Sequence, residues 1–177
     1  YISGPAVADF EDAVAEYSGS KYAIAVSSGT TALELGLRAV GITAGEQVTI
    51  NANTFVAVAE AIIAAGGKPH LVDTDAHNWQ MPKVSSGNLV LASHLYGNAS
   101  AAINSNTKLL FEDASQSFGA RLNGKLLGTF APITAVSLYP TKNLSATGDA
   151  GVILTDSEAY ALKCKALRNH GQSGHQV

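Results

Sequence analysis

Short apolar runs recur along this chain, apolar at consecutive positions rather than at alternate ones, with stretches of helical periodicity between them. The clearest lie at 22–26 (YAIAV), 89–93 (LVLAS), 109–111 (LLF) and 151–154 (GVIL), and 47–50 (QVTI), 69–72 (PHLV) and 135–138 (AVSL) read as strands beside them. Between them, Val7, Phe10, Val14 and Tyr17 recur at helical spacing before Gly19 stops the pattern. The segment 30–40 (TTALELGLRAV) reads as a helix ended by Gly41, and 54–65 as one closed by Gly66 and Gly67. Asp156 is the expected cap of a last helix, 157–169, before Gly171. Strands apolar on both faces need cover on both faces, and crossover helices provide it. The expected fold is therefore α/β, a mostly parallel sheet with helices on both faces, and 69–72 and 89–93 are expected to be buried in it. The alternation is clear up to Val72 and thins between Trp79 and Thr107. There GNASAAINSNT has little power to form a helix. With no repeat and no low-complexity linker, the chain reads as one domain.

At 177 residues and 46% hydrophobic, the chain can bury a sizeable core. Only 14% of it is charged, against roughly 25% in an average soluble domain. Much of it is thus expected to be interior or to meet another subunit. A net charge of −3, with the 11 Lys and Arg scattered, provides no basic field for nucleic acid or an anionic membrane. The longest apolar stretch, 55–65, is interrupted by Glu60 and too short to span a bilayer. The single cysteine, Cys164, excludes an internal disulfide, fits a reducing cytosol and reads as packing.

Ligands of open α/β sheets bind beyond the carboxyl ends of the strands, and four groups fall there. In SSGTT (27–31), the amides of Gly29 and Thr30 open a helix beside hydroxyls, an arrangement suited to phosphate. The same residues are equally an ordinary N-cap. In FEDASQS (111–117), Asp113 follows a strand with Gln116 three residues on. Its carboxylate suits a cationic ring nitrogen, although a helix-capping Asp is the commoner reading. In VSLYPTKNL (136–144), Lys142 lies just past a strand and can form a Schiff base with an aldehyde, while Ser137 offers a second phosphate hydroxyl. A solvated loop lysine is the blander alternative. In NTFVAV (53–58), Phe55 at a helix start can stack on a flat cofactor, or simply belong to the core. No G-x-G-x-x-G follows a strand, which argues against a dinucleotide. A phosphate cradle, an acid for a pyridinium, a lysine for an aldehyde and an aromatic for a ring together describe pyridoxal 5′-phosphate. His70, His77, His94, His170 and His175 lack metal-ligand spacing, so no metal is expected.

These stretches also carry a resemblance. SSGT, EDAxQ (as EDASQ) and YPTKNL, with HLYG, GEQVTINANTFVAVAEAIIAAGGKPHLVDTD, SLYPTKNLSATGDAGVILTD and LRNHGQSG, run end to end in the order of one family. The chain resembles the DegT/DnrJ/EryC1/StrS sugar aminotransferases, which have the aspartate-aminotransferase (type I) fold. The resemblance implies that Lys142 bonds the aldehyde of pyridoxal 5′-phosphate and that Asp113 pairs with the pyridine nitrogen. It also implies that Gln116 reaches the phenolic-oxygen side of the ring, that Phe55 stacks, and that Gly29, Thr30 and Ser137 hold the phosphate. His94 and His170 take structural or substrate-side positions. The implied reaction moves an amino group from an amino acid, in the first place glutamate, to a nucleotide-linked keto-sugar. The setting it implies is a cytoplasmic homodimer serving cell-surface polysaccharide biosynthesis. Relatives with His at the lysine position remove oxygen instead; Lys142 favours transamination. The alternatives are other pyridoxal chemistry on a nucleotide sugar, such as dehydration or deoxygenation, and a noncatalytic pseudoenzyme or truncated fragment.

The segments 75–94 and 97–112 are shorter than the family's usual elements, so at least one helix is expected to be reduced or absent. The chain begins at Tyr1 without Met and stops at GHQV. Residues 1–177 are accordingly expected to be the large domain of a longer protein, without its N-terminal arm and C-terminal small domain. Alone, that piece is expected to bind the cofactor weakly.

Overall fold

A computed structural model describes residues 4–84 and 89–172. Helix α1 (Pro5–Ser18) has Pro at its first position and ends on Gly19, whose φ of 73° allows the left-handed C-cap. Strand β1 (Tyr22–Val26) follows, then α2 (Gly29–Val40), β2 (Gln47–Asn51), α3 (Val56–Ala64), β3 (Lys68–Val72) and β4 (Leu89–Ser93). Two short 3₁₀ turns, Leu95–Gly97 and Ala101–Asn104, lead to β5 (Leu109–Asp113). The two-residue strands β6 (Arg121–Leu122) and β7 (Lys125–Leu126) precede β8 (Ile133–Ser137), β9 (Gly151–Thr155) and α4 (Glu158–Arg168).

The main sheet has seven strands in the order β1-β9-β8-β5-β4-β2-β3. All of its strands run one way except β9, which is antiparallel to both β1 and β8. The α/β, mostly parallel architecture expected from the sequence is the one that forms. Helix α2 carries the chain from β1 at one edge to β2 near the other. It lies close under the sheet because Gly36 has no Cβ: one there would come within 2.7 Å of the Phe111 ring. Together α2, α3 and α4 cover one face over a core of Ile24, Leu37, Ile50, Ile62, Leu91, Phe111, Ile133 and Ile153. The opposite face packs Val14 of α1 with Phe118, Leu126, Val136 and Val152, while Met81, Val90, Ala92 and Ala102 form a smaller cluster. Consecutive residues of β4 thus bury on opposite faces, which explains why the run is apolar throughout.

Several expectations need correction. Residues 69–72 are not buried: β3 is the outer strand, with Lys68, His70 and Leu71 exposed. Pro69 suits that edge, since it has no N–H to give a further strand. The last helix is capped by Ser157, whose side chain accepts from the Tyr160 amide; Asp156 instead accepts from the Lys21 amide at 2.8 Å. Helix α3 starts at Val56 rather than at 54, and Phe55 is its extended N-cap residue. The β6–β7 hairpin was not expected, although its turn, Asn123 (φ 52°) and Gly124 (φ 81°), is an Asn-Gly pair of the kind that favours tight hairpins. Between β4 and β5 the described residues form 3₁₀ turns and no α-helix, matching the poor helix formers there. No helix of the described residues is long and apolar enough to cross a membrane. Tyr1 and the terminal GHQV, with His175, lie outside the described residues.

Candidate active site

Strands β1, β2, β5 and β8 point their carboxyl ends to the same side of the sheet, and the four sequence groups meet there. They border one cleft of about 520 Å³, which Gly29, Thr30, Phe55, Asp113, Gln116, Ser137 and Lys142 all line. The structure brings every sequence-predicted site residue together. It adds Ser28, Ser115, Tyr139, Thr141 and Asp149 to the lining, which the sequence reading did not single out.

At one end the first turn of α2 faces the end of β8. The Ser28 hydroxyl accepts from the Thr31 amide at 3.0 Å, so the capping reading of SSGTT holds for that residue. The next amides, of Gly29 and Thr30, have no acceptor within the helix and carry its positive end. A Cβ on Gly29 would lie 2.4 Å from the Cβ of Ser137, so only glycine lets the two elements approach this closely. Ser137 is itself fixed, its amide donating to Ser115 Oγ at 2.9 Å. The result is a small concave surface of amides and hydroxyls, chemically matched to a phosphate.

Asp113, at the end of β5, is 8% exposed. It caps no helix: its Oδ1 accepts from the Ser115 amide at 3.0 Å in a turn. Its Oδ2 accepts from Ser93 Oγ at 3.5 Å, and Ser93 Oγ accepts from Thr54 Oγ1 at 2.9 Å. None of the ion pairs among the described residues involves Asp113. A buried carboxylate held only by neutral donors suits a cationic ligand group. Gln116 Oε1 accepts from the Tyr96 amide at 2.9 Å, which leaves its NH₂ as the free donor end. Phe55 is 64% exposed, against its core reading. Lys142 is half-buried, in a turn closed by its amide donating to the Tyr139 carbonyl at 2.8 Å.

The described histidines are not among the residues that line this cleft. His94 is buried, its Nε2 donating to Glu112 Oε2 at 2.7 Å and its Nδ1 accepting from the Ser100 amide at 3.1 Å. That is a structural position. His70, His77 and His170 are exposed. Among the described residues no group of three or more His, Cys, Asp or Glu could hold a metal ion. Cys164 is buried in the core on α4, and desolvation pushes its thiol pKa up to about 12, consistent with packing.

Comparison with known proteins places this geometry. A model of the DegT/DnrJ/EryC1/StrS aminotransferase family matches residues 1–177. A pleiotropic regulatory protein of Geobacillus stearothermophilus is 37% identical over 97% of this chain and 50% of its own length. The UDP-2-acetamido-2-deoxy-3-oxo-D-glucuronate aminotransferase of Pseudomonas aeruginosa is 34% identical over 97% of this chain and 52% of its own. Among solved structures, NtdA from Bacillus subtilis, with bound cofactor PMP, matches 93% of this chain and 40% of its own at 33% identity and a TM-score of 0.77. The chain spans about half the length of the curated relatives it matches. With the match running over its whole length and the fold shared, the chain belongs to the DegT/DnrJ/EryC1/StrS aminotransferase family.

Proposed function

We propose that the cleft holds pyridoxal 5′-phosphate and that the protein transfers an amino group from an amino acid, in the first place glutamate, to a nucleotide-linked keto-sugar. The observation that carries this is the convergence of an anion cradle, a buried carboxylate, a lysine and an exposed aromatic on one cleft of about 520 Å³. The donor set fits the cofactor group by group. The Gly29 and Thr30 amides with Ser137 receive the phosphate, and the close approach at Gly29 leaves no side chain to block it. Asp113 would pair with the ring nitrogen, Phe55 would offer a stacking face, and Gln116 would present its NH₂ to the ring oxygen.

When bound, pyridoxal 5′-phosphate supplies an aldehyde that exchanges amines and a ring that accepts the electron pair released when a carbon beside nitrogen loses its proton. The protein's residues do the rest. The Asp113 carboxylate would sit beside the ring nitrogen and so favour the protonated, electron-accepting ring. The Lys142 amine would hold the cofactor's aldehyde and, when free, would serve as the base that takes and returns the proton at the substrate carbon. Lys at position 142, rather than His, is what favours nitrogen transfer over oxygen removal. We also assign residues 1–177 to the large domain of the protein, working in the cytoplasm as a homodimer and serving cell-surface polysaccharide biosynthesis.

The test is isotopic. Purified protein is incubated with pyridoxal 5′-phosphate, ¹⁵N-glutamate and a panel of nucleotide-linked 3- and 4-keto-sugars. The reading expects ¹⁵N in the sugar product of at least one panel member. Loss of a sugar hydroxyl without nitrogen gain would replace it with the deoxygenating reading.

A further inference from the structure

Strand β4 is buried at every position, and its last residue, Ser93, is the only hydroxyl in LVLAS. At 1% exposure that hydroxyl is costly unless satisfied, and an apolar side chain would meet the needs of packing alone. Its partners account for it. An ionised carboxylate only accepts, so Ser93 spends its single proton on Asp113 Oδ2 at 3.5 Å. Its lone pair then receives the proton of Thr54 Oγ1 at 2.9 Å. Thr54 immediately precedes Phe55, which lines the cleft. A single relay therefore ties the ends of β2, β4 and β5 together behind the cleft. With the Ser115 amide on Oδ1, it holds both oxygens of Asp113.

We propose that Thr54 and Ser93 are positioning residues: a two-hydroxyl relay that orients the Asp113 carboxylate toward the cofactor's ring nitrogen and couples it to the loop carrying Phe55. The inference rests on the reading that the cleft holds pyridoxal 5′-phosphate. Each hydroxyl polarises the next, so removing either one slackens the carboxylate.

The test is equilibrium titration of the purified cofactor-free protein with pyridoxal 5′-phosphate, together with the ¹⁵N chemical shift of the bound ring nitrogen in labelled cofactor. Ser93→Ala is expected to weaken binding by about fivefold, the scale of one ordinary net hydrogen bond. It should also move the ring-nitrogen resonance toward the unprotonated position. Thr54→Val is expected to shift both readouts the same way by less, and Ser93→Thr to restore them. In an Asp113→Asn background, Ser93→Ala should change neither, because its effect passes through that carboxylate. Wild-type protein that binds the cofactor, with Ser93→Ala and Thr54→Val indistinguishable from it, would overturn the relay alone. An undiminished Ser93→Ala effect in the Asp113→Asn background would also overturn it, by showing a packing role. Wild-type protein that takes up no pyridoxal 5′-phosphate would overturn the functional reading and the relay with it.

Discussion

His94 Nε2 donates a 2.7 Å hydrogen bond to Glu112 Oε2, with both side chains fully buried. The same carboxylate accepts from the amides of Gly128 and Ala131, while His94 Nδ1 takes the Ser100 amide. This pair ties β4 and β5 to the loop before β8, and so sets the spacing of the strand ends that carry Ser93, Asp113 and Ser137. Glu112→Ala would strand several buried donors at once. It is expected to destabilise the protein by about 3 kcal/mol or more, since each buried donor left without an acceptor costs about 1–3 kcal/mol. Urea unfolding measures this; a loss below about 1 kcal/mol would mean that water replaces the carboxylate.

Gly29→Ala is expected to injure the cleft more than its single methyl suggests. The added carbon meets Ser137 Cβ at 2.4 Å, so α2 or β8 must move. Overpacking of this kind costs about 1–3 kcal/mol. Because the displaced groups are those proposed to hold phosphate, affinity for pyridoxal 5′-phosphate should fall by roughly tenfold or more, the worth of one charge-assisted contact. Thermal unfolding and cofactor titration read the two effects separately. Unchanged affinity would remove the anion role from the start of α2.

Asp113→Asn keeps the shape and the acceptor for the Ser115 amide but removes the charge. Proton removal from the bound amino acid is expected to slow by roughly 10²-fold or more, the scale of losing one preorganised electrostatic group. Cofactor affinity should change less. Single-turnover kinetics with glutamate deuterated at its α-carbon separate the steps, and an unimpaired proton-removal rate in the Asn variant would contradict the role.

Cys164 is expected to be inert in the folded protein. With a thiol pKa of about 12, its thiolate fraction at pH 8 is about one in ten thousand, and burial blocks access as well. A chromogenic disulfide reagent at pH 8 should react only after unfolding. Stoichiometric reaction with native protein at the rate of a free thiol would show that α4 opens.

Much of the cleft was legible because each of its groups sits where a strand ends, and because Lys142, Asp113 and the SSGTT turn are chemically distinctive at such places. What was not legible depends on neighbours. The run 69–72 reads as a strand at the centre or the edge of a sheet; Pro69 and His70 are compatible with the edge, and pairing shows β3 outermost. The reversal of β9 leaves no mark on GVILT, since a strand covered on both faces looks the same in either direction. Asp156 and Ser157 are both competent caps, and the contact with Lys21 decides between them. Thr54 and Ser93 are 39 residues apart and meet only once β2 and β4 pair. The Asn123-Gly124 pair is the one mark of the β6–β7 hairpin in the sequence.

The central claim is that Lys142 is the residue that bonds pyridoxal 5′-phosphate, and borohydride reduction followed by peptide mapping tests it most directly. Protein loaded with the cofactor, reduced and digested, is predicted to carry the phosphopyridoxyl group on the peptide containing Lys142, and Lys142→Ala is predicted to carry none while staying folded. Label fixed on another lysine, with Lys142 unmodified, would contradict the account.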